Sequence, residues 1–338
     1  MAGVNMLHTL FKKVSGRCAT RLIALFSCIC AVQPALVQAQ DYPTRAVKIV
    51  VPFAPGGPAD NYARFMGQQL QAALGQNFIV ENKPGAGSII GTDFVAKAAA
   101  DGYTLLLMSN AQTVNESLIT KKPYALLKDF VGIAPINYSD LLLVVHPSVP
   151  AKNLSELIAL AKSKPGKLNY ASSGTGTPYH MAGELFKAMA GIDITHVPYK
   201  GSSGARTDLL GGQVDFMFDA VTTMTDYARA GTVRGLATTG AIRSDILPAV
   251  PTMSEAGVAG YESTIWLGLM APKGTPVAII NRLNSAMTTI VTRPEVKKQW
   301  AEKGAMPLTM SPLEFQIYLE RDVIKWAKIV KLSGAKPD

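Results

Sequence analysis

The sequence predicts an α/β protein built as two lobes of similar plan, and three observations predict it. Strand-like runs alternate with helical ones through most of the 338 residues. Twice, a strand leads through a glycine-rich loop into a helix. Runs such as Tyr103 to Met108 are continuously apolar, as buried parallel strands are. An apolar content of 48% excludes a chiefly disordered chain. The 29 glycines and 21 prolines show no period, which excludes collagen and repeat arrays.

The first element is a leader. Lys12, Lys13, Arg17 and Arg21 precede an apolar run from Leu22 to Val32, then Pro34 and the small-residue end Val37-Gln38-Ala39, with no acid before Asp41. This order is that of a secretory signal peptide over residues 1–39, cleaved after Ala39. A membrane anchor would need about 20 apolar residues, more than the run supplies. Cys18, Cys28 and Cys30 all lie in the leader, so the mature chain is expected to hold no disulfide and no cysteine site. Taking four basic residues from 33 leaves 29 against 24 acidic ones, a charge of +5 rather than +9. With no dense Lys/Arg run, that is no nucleic-acid footprint.

In the mature chain, Ala46 to Val51 reads as a strand, followed by a loop to Asp60 and a helix carrying Tyr62, Phe65, Met66, Leu70 and Leu74, stopped by Gly75. Phe78 to Val80 is a second strand, the segment from Ser88 to Ala100 a helix, and Tyr103 to Met108 a third strand. Leu141 to Val145 is an apolar strand and Leu154 to Ala161 a short helix. A second cycle starts with Leu168 to Ala171 as strand and Ser172 to Thr177 as loop. Thr177 is a good N-cap, Pro178 a good first turn and Gly191 a good stop for a helix over 178–190. Strands follow at 194–198, 214–218 and 233–238, with a helix over 204–210. The tail after Pro276 reads as helical, with stripes at Ile279, Ile280, Leu283, Met287 and Ile290, and at Phe315, Leu319, Val323 and Trp326. Trp266, Trp300 and Trp326 sit at apolar spacings and are expected in the core.

The two loops are where a ligand is expected, because open α/β sheets bind at strand carboxyl ends beside helix N-termini, whose N–H groups and dipole favour anions. In the first loop, Phe53, Ala54, Gly56, Gly57 and Asp60 are candidates, with Asp60 as N-cap and organiser. In the second, Ser173, Gly174, Thr175, Gly176 and Thr177 offer hydroxyls and backbone N–H groups without a fixed charge. A plain turn and a capping loop fit the same residues. His180, three residues beyond Thr177, is placed either to touch a ligand or to pack and cap.

Other chemistries lack their patterns. Gly85 to Gly91 has a dinucleotide-like spacing, but its last interval is one residue too long and it follows the second strand. His146, His180 and His196 have no metal-ligand spacing, and no G-x-S-x-G elbow occurs. The reading is therefore not an enzyme, with no cofactor and no metal.

Seven ordered segments resemble the extracytoplasmic solute receptors of the tripartite tricarboxylate transporter system, the Bug receptor family. They are Val50 to Gly57, Val80 to Gly87, Asp101 to Leu105, Leu168 to Gly174, His196 to Gly201, Leu247 to Thr252 and Ala271 to Pro276. The resemblance implies a two-lobed periplasmic binding protein of type II-like plan, each lobe a sheet flanked by helices, with two crossings near Leu141–Val145 and Ile265–Met270. Lobe 1 would be 41–142 plus 264–338 and lobe 2 143–263. It implies capture of a small carboxylate and delivery to membrane permease subunits, by a periplasmic monomer with no nucleic-acid partner. A ligand sensor for a membrane signalling partner is the alternative, and a periplasmic enzyme acting on an acid a remote one. The family's ligand loops map onto the same two segments, and add Ser109, Asn110 and Asp219. Many relatives carry Ser or Thr before the loop aspartate; here Gly57-Pro58-Ala59-Asp60 implies a less polar end in lobe 1.

Overall fold

The computed structural model describes residues 42–337, so the expected leader lies outside the described residues. The first cycle is β1 (Val47–Val51), α1 (Pro58–Leu74), β2 (Phe78–Asn82), a 3-10 turn (Ala86–Ser88), α2 (Ile89–Ala96) and β3 (Thr104–Ser109). It continues through α3 (Asn110–Leu118), α4 (Leu126–Asp129) and β4 (Phe130–Val145). The second cycle is α5 (Leu154–Ser163), β5 (Asn169–Ser172), α6 (Pro178–Ala190), β6 (Thr195–Pro198) and α7 (Ser202–Leu210). It continues through β7 (Phe216–Ala220), α8 (Val221–Arg229) and β8 (Arg234–Thr238). β9 (Thr264–Pro272), α9 (Val277–Thr292), α10 (Pro294–Ala301), β10 (Ala305–Pro307) and α11 (Pro312–Ser333) follow.

The strands hydrogen-bond in the order β2-β1-β3-β9-β4-β7-β5-β6, with β10 and β8 each paired to β4. β4 carries both lobes. Its residues from Phe130 to Asp140 pair antiparallel with β9, whereas Leu141 to Val145 pair with β7 and β8. β1 pairs in parallel with β2 and β3, and β5 with β6 and β7, in keeping with the alternation of strands and helices. The middle of the sheet is antiparallel instead, because β9 returns between β3 and β4.

Local chemistry explains the ends of the elements. Thr177 caps α6 through His180 N, Gly191 closes it, and the helix spans the predicted residues. Several expectations need correction. The helix after Ser88 stops at Ala96, where Lys97 caps it, rather than reaching Ala100. The expected strand over 141–145 is the end of a 16-residue strand whose first half is interrupted in pattern by Gly132, Pro135 and Asn137. The tail is not wholly helical, since β10 adds three residues to the edge of β4. α3 and α8 escaped the periodic reading because their sequences are mostly polar.

Each lobe has its own core. Leu106, Met108, Phe130, Trp266, Phe315 and Leu319 pack in the first, with Trp266 edge-on to Phe315 at 5.8 Å. Tyr170, Phe186, Phe216, Phe218 and Tyr261 pack in the second. Trp266, Trp300 and Trp326 are all buried, as expected. A smaller cluster of Val114, Leu118, Met181 and Trp326 joins α3 and α11 to α6 across the lobes. Among the described residues no helix is long and apolar enough to cross a membrane.

Candidate functional site

A cavity of about 350 Å³, counting its mouth, lies between the lobes. Phe53, Ala54, Gly57, Pro58, Ala59 and Ser109 wall it from one side, and Ser173, Pro178, Tyr179 and Ser202 from the other. Ile265 and Leu267, from β9, complete the lining. No charged side chain is among them. The charge character comes from backbone: Pro58 and Ala59 open α1, Ser109 caps α3, Pro178 and Tyr179 open α6, and Ser202 opens α7. Four helix N-termini thus meet at one cavity, and their dipoles, with those first-turn N–H groups that no side chain caps, make it favourable for an anion.

The lobes touch around this cavity. Ala54 N donates to Lys200 O at 3.0 Å, and Ser203 Oγ donates to Pro55 O at 2.9 Å. The loop from Gly85 to Ser88 meets the second loop near Thr175. All four of its residues have positive φ, including Ala86 (46°) and Ser88 (81°). Such conformations are disfavoured for side-chain-bearing residues and persist where surroundings enforce them. Asn115 helps, donating from Nδ2 to Gly87 O at 2.9 Å.

Asp60 holds the first loop in shape. It is 3% exposed and sits at the third position of α1, so the N-cap is Gly57 and not Asp60 as expected. Its carboxylate accepts from Gly56 N, from Arg64 Nε and Nη2, and from Asn82 Nδ2 at 2.9–3.0 Å. Burial pushes its pKa up, but the bonds from Arg64, Gly56 and Asn82 outweigh this and hold it below the usual carboxylate value. Gly56 N is therefore spent on Asp60, while Ala59 N and Asp60 N have no acceptor inside the helix.

The second loop is knitted similarly. Gly174 N donates to Ser172 Oγ, Thr177 Oγ1 donates to Gly174 O at 2.6 Å, and Gly176 N donates to His180 Nδ1 at 3.2 Å. His180 does not line the cavity; its ring caps this loop and lies 4.2 Å from that of His196. Asn110 also stands off the cavity, tying α3 to β9 by donating to Thr264 O at 2.8 Å. Asp219 is fully buried outside the lining and accepts from Arg206 Nε and Nη2 at 3.0 and 2.8 Å. Burial pushes the Asp219 carboxyl up against the pull of that guanidinium, and Asp219 in turn holds Arg206 protonated.

Of the sequence candidates, Phe53, Ala54, Gly57, Ser109 and Ser173 line the cavity. Gly56, Asp60, Gly174, Gly176, Thr177 and His180 instead shape its loops, and Thr175 faces Gly87 across the cleft. Tyr179, Ile265 and Leu267 were missed as lining residues. An aromatic beside a helix start and apolar residues in a strand carry only a core signal, whereas the run Ser202-Ser203-Gly204-Ala205 after Gly201 is polar enough to line the cleft, and Ser202 does line it.

Residues 62–335 match the family described as tripartite tricarboxylate transporter family receptor. The chain belongs to this family. The receptor is 38% identical over 321 residues to protein BugT of Bordetella pertussis, covering 94% of this chain and 98% of that one. It is also similar to solved structures. An R. palustris protein solved with adipate is 36% identical with a TM-score of 0.85, covering 88% of this chain and all of the other. MatC from Rhodopseudomonas palustris, with bound malate, is 32% identical with a TM-score of 0.82, covering 86% of this chain and all of that one. Members of this family are periplasmic solute receptors with two lobes, and the receptor shares their α/β plan.

Proposed function

We propose that the receptor captures a small organic acid between its lobes and hands it to the permease subunits of a tripartite transporter, without chemistry of its own. The observation that carries this is the convergence of four helix N-termini on one interlobe cavity with no acidic side chain in its wall. The adipate and malate in related structures support a carboxylate as ligand. Its oxygens would be met by the backbone at Gly57 and Ala59 and by the hydroxyls of Ser109 and Ser173. The lobes are read as 41–142 plus 264–338 and 143–263, a division supported by the change of partners along β4 after Asp140. Closure would exclude water and present a joint surface to the permease. The chain would reach the periplasm through cleavage after Ala39, so that the exported protein starts at Gln40, which mass spectrometry of a periplasmic extract checks.

The functional test is a thermal-shift and calorimetry panel of adipate, malate, benzoate and citrate against neutral sugars. An acid present at 100 times its Kd stabilises by about 2.7 kcal/mol. If only neutral compounds shift the melting curve, the carboxylate reading is wrong.

A further inference from the structure

Tyr179 carries chemistry that the scheme above leaves unused. It is the second residue of α6, lines the interlobe cavity and is 3% exposed. Its phenol oxygen is buried, and no described residue meets it in hydrogen-bond geometry. Ser202 and Asp219 are its polar neighbours, within reach of a long or poorly aligned hydrogen bond but not of a well-formed one. Burial first, then the Asp219 charge, push its titration well above that of an ordinary tyrosine. The phenol is thus an O–H donor at every physiological pH. A buried donor without a partner is costly, and the cavity is the place where one would sit.

The wall around it is apolar at Phe53, Pro58, Ala59, Pro178, Ile265 and Leu267. Arg206, close enough to act on Tyr179, is committed to Asp219. Helix N-termini are therefore the cavity's means of balancing charge. A ligand with three carboxylates, or with hydroxyls along its body, would bury polar groups against hydrocarbon without partners.

We propose that Tyr179 is a specificity-determining donor that holds an oxygen of an acid with an unsubstituted hydrocarbon body, aliphatic or aromatic, carrying one or two carboxylates. This rests on the carboxylate reading above.

The test is calorimetry on the mature chain and on Tyr179→Phe, with adipate, benzoate and citrate. The expected result is that adipate or benzoate binds at least about tenfold more tightly than citrate, and that Tyr179→Phe weakens the tighter of the two at least about tenfold. The ligand-free variant should melt within a degree or two of wild type, because the hydroxyl it loses makes no well-formed hydrogen bond. Equal or tighter binding of citrate, or wild-type affinity in Tyr179→Phe, overturns the proposal. Binding of none of the three acids overturns the carboxylate reading itself.

Discussion

Gly87→Ala separates folding from lobe closure. Gly87 has φ 58°, and a Cβ there would fall far inside contact distance of the Thr175 carbonyl oxygen, a backbone atom of the facing lobe. The left-handed conformation alone costs an alanine about 1 kcal/mol, and that cost is local to the first lobe. The collision is different, because it is relieved by keeping the lobes apart. Separation breaks the bonds from Ala54 N to Lys200 O (3.0 Å) and from Ser203 Oγ to Pro55 O (2.9 Å). At about 0.5–1.5 kcal/mol each, their loss amounts to roughly 1–3 kcal/mol, a five- to 150-fold weakening of ligand binding. Calorimetry with the acid that most stabilises wild type reads the affinity. Small-angle scattering at saturating acid reads closure, and the variant should keep the larger, open radius. The ligand-free melting temperature should fall by only a few degrees. Wild-type affinity together with a wild-type closed radius would refute the assignment of this loop as a closure contact.

Three further outcomes follow from the same geometry. Gly57→Val should abolish acid binding yet leave folding nearly intact, because φ −89° and ψ 173° suit any residue while a Cβ would lie 2.8 Å from Ser202 Oγ across the cleft; calorimetry and circular dichroism check the two halves. Asp60→Ala should destabilise by about 1.5–3 kcal/mol in a denaturant titration, since it strands Gly56 N and Asn82 while half-exposed Arg64 is screened by water. Because Asp60 titrates below an unfolded aspartate, its contribution is present above pH 4 and lost as pH falls through its folded value. Asp140 behaves oppositely: burial, then Glu262, push it up to about 6, so stability falls as pH rises from about 4 to about 6. Asp140→Asn should flatten part of that slope and raise stability above pH 6 by roughly 1–3 kcal/mol, with Asp322, also pushed up to about 6 by burial, accounting for the remainder.

The local grammar of the sequence is legible where cap and pattern agree. α6 is readable to the residue because Thr177, Pro178 and Gly191 mark its ends. The two glycine-rich loops are readable as helix-start loops because strand, loop and helix start occur in order, and residues of both line the cavity. The antiparallel return of β9 is not legible, since an apolar strand carries no mark of its partner's direction. The first half of β4 hides behind Gly132, Pro135 and Asn137, which tertiary pairing with β9 overrides. α3 reads as polar, yet Asn110, Gln112, Thr113 and Asn115 are all buried by packing that no local window contains. Asp60 announces itself as a helix-start residue, but its bonds to Asn82 and Arg64 need the folded β2 and α1 together. Tyr179 is the instructive omission, because only burial combined with an unpartnered oxygen distinguishes it from a core aromatic.

β9 is at once the floor of the cavity, through Ile265 and Leu267, and the strand paired to β4 up to the point where β4 passes between lobes. Selectivity for ligand size and the stiffness of the joint are therefore written in the same few residues. A substitution that deepens the floor to admit a larger acid also changes how readily the joint bends. Re-engineering the receptor for a new acid consequently calls for retuning the walls contributed by α1, α6 and α7, leaving the strand beneath them alone.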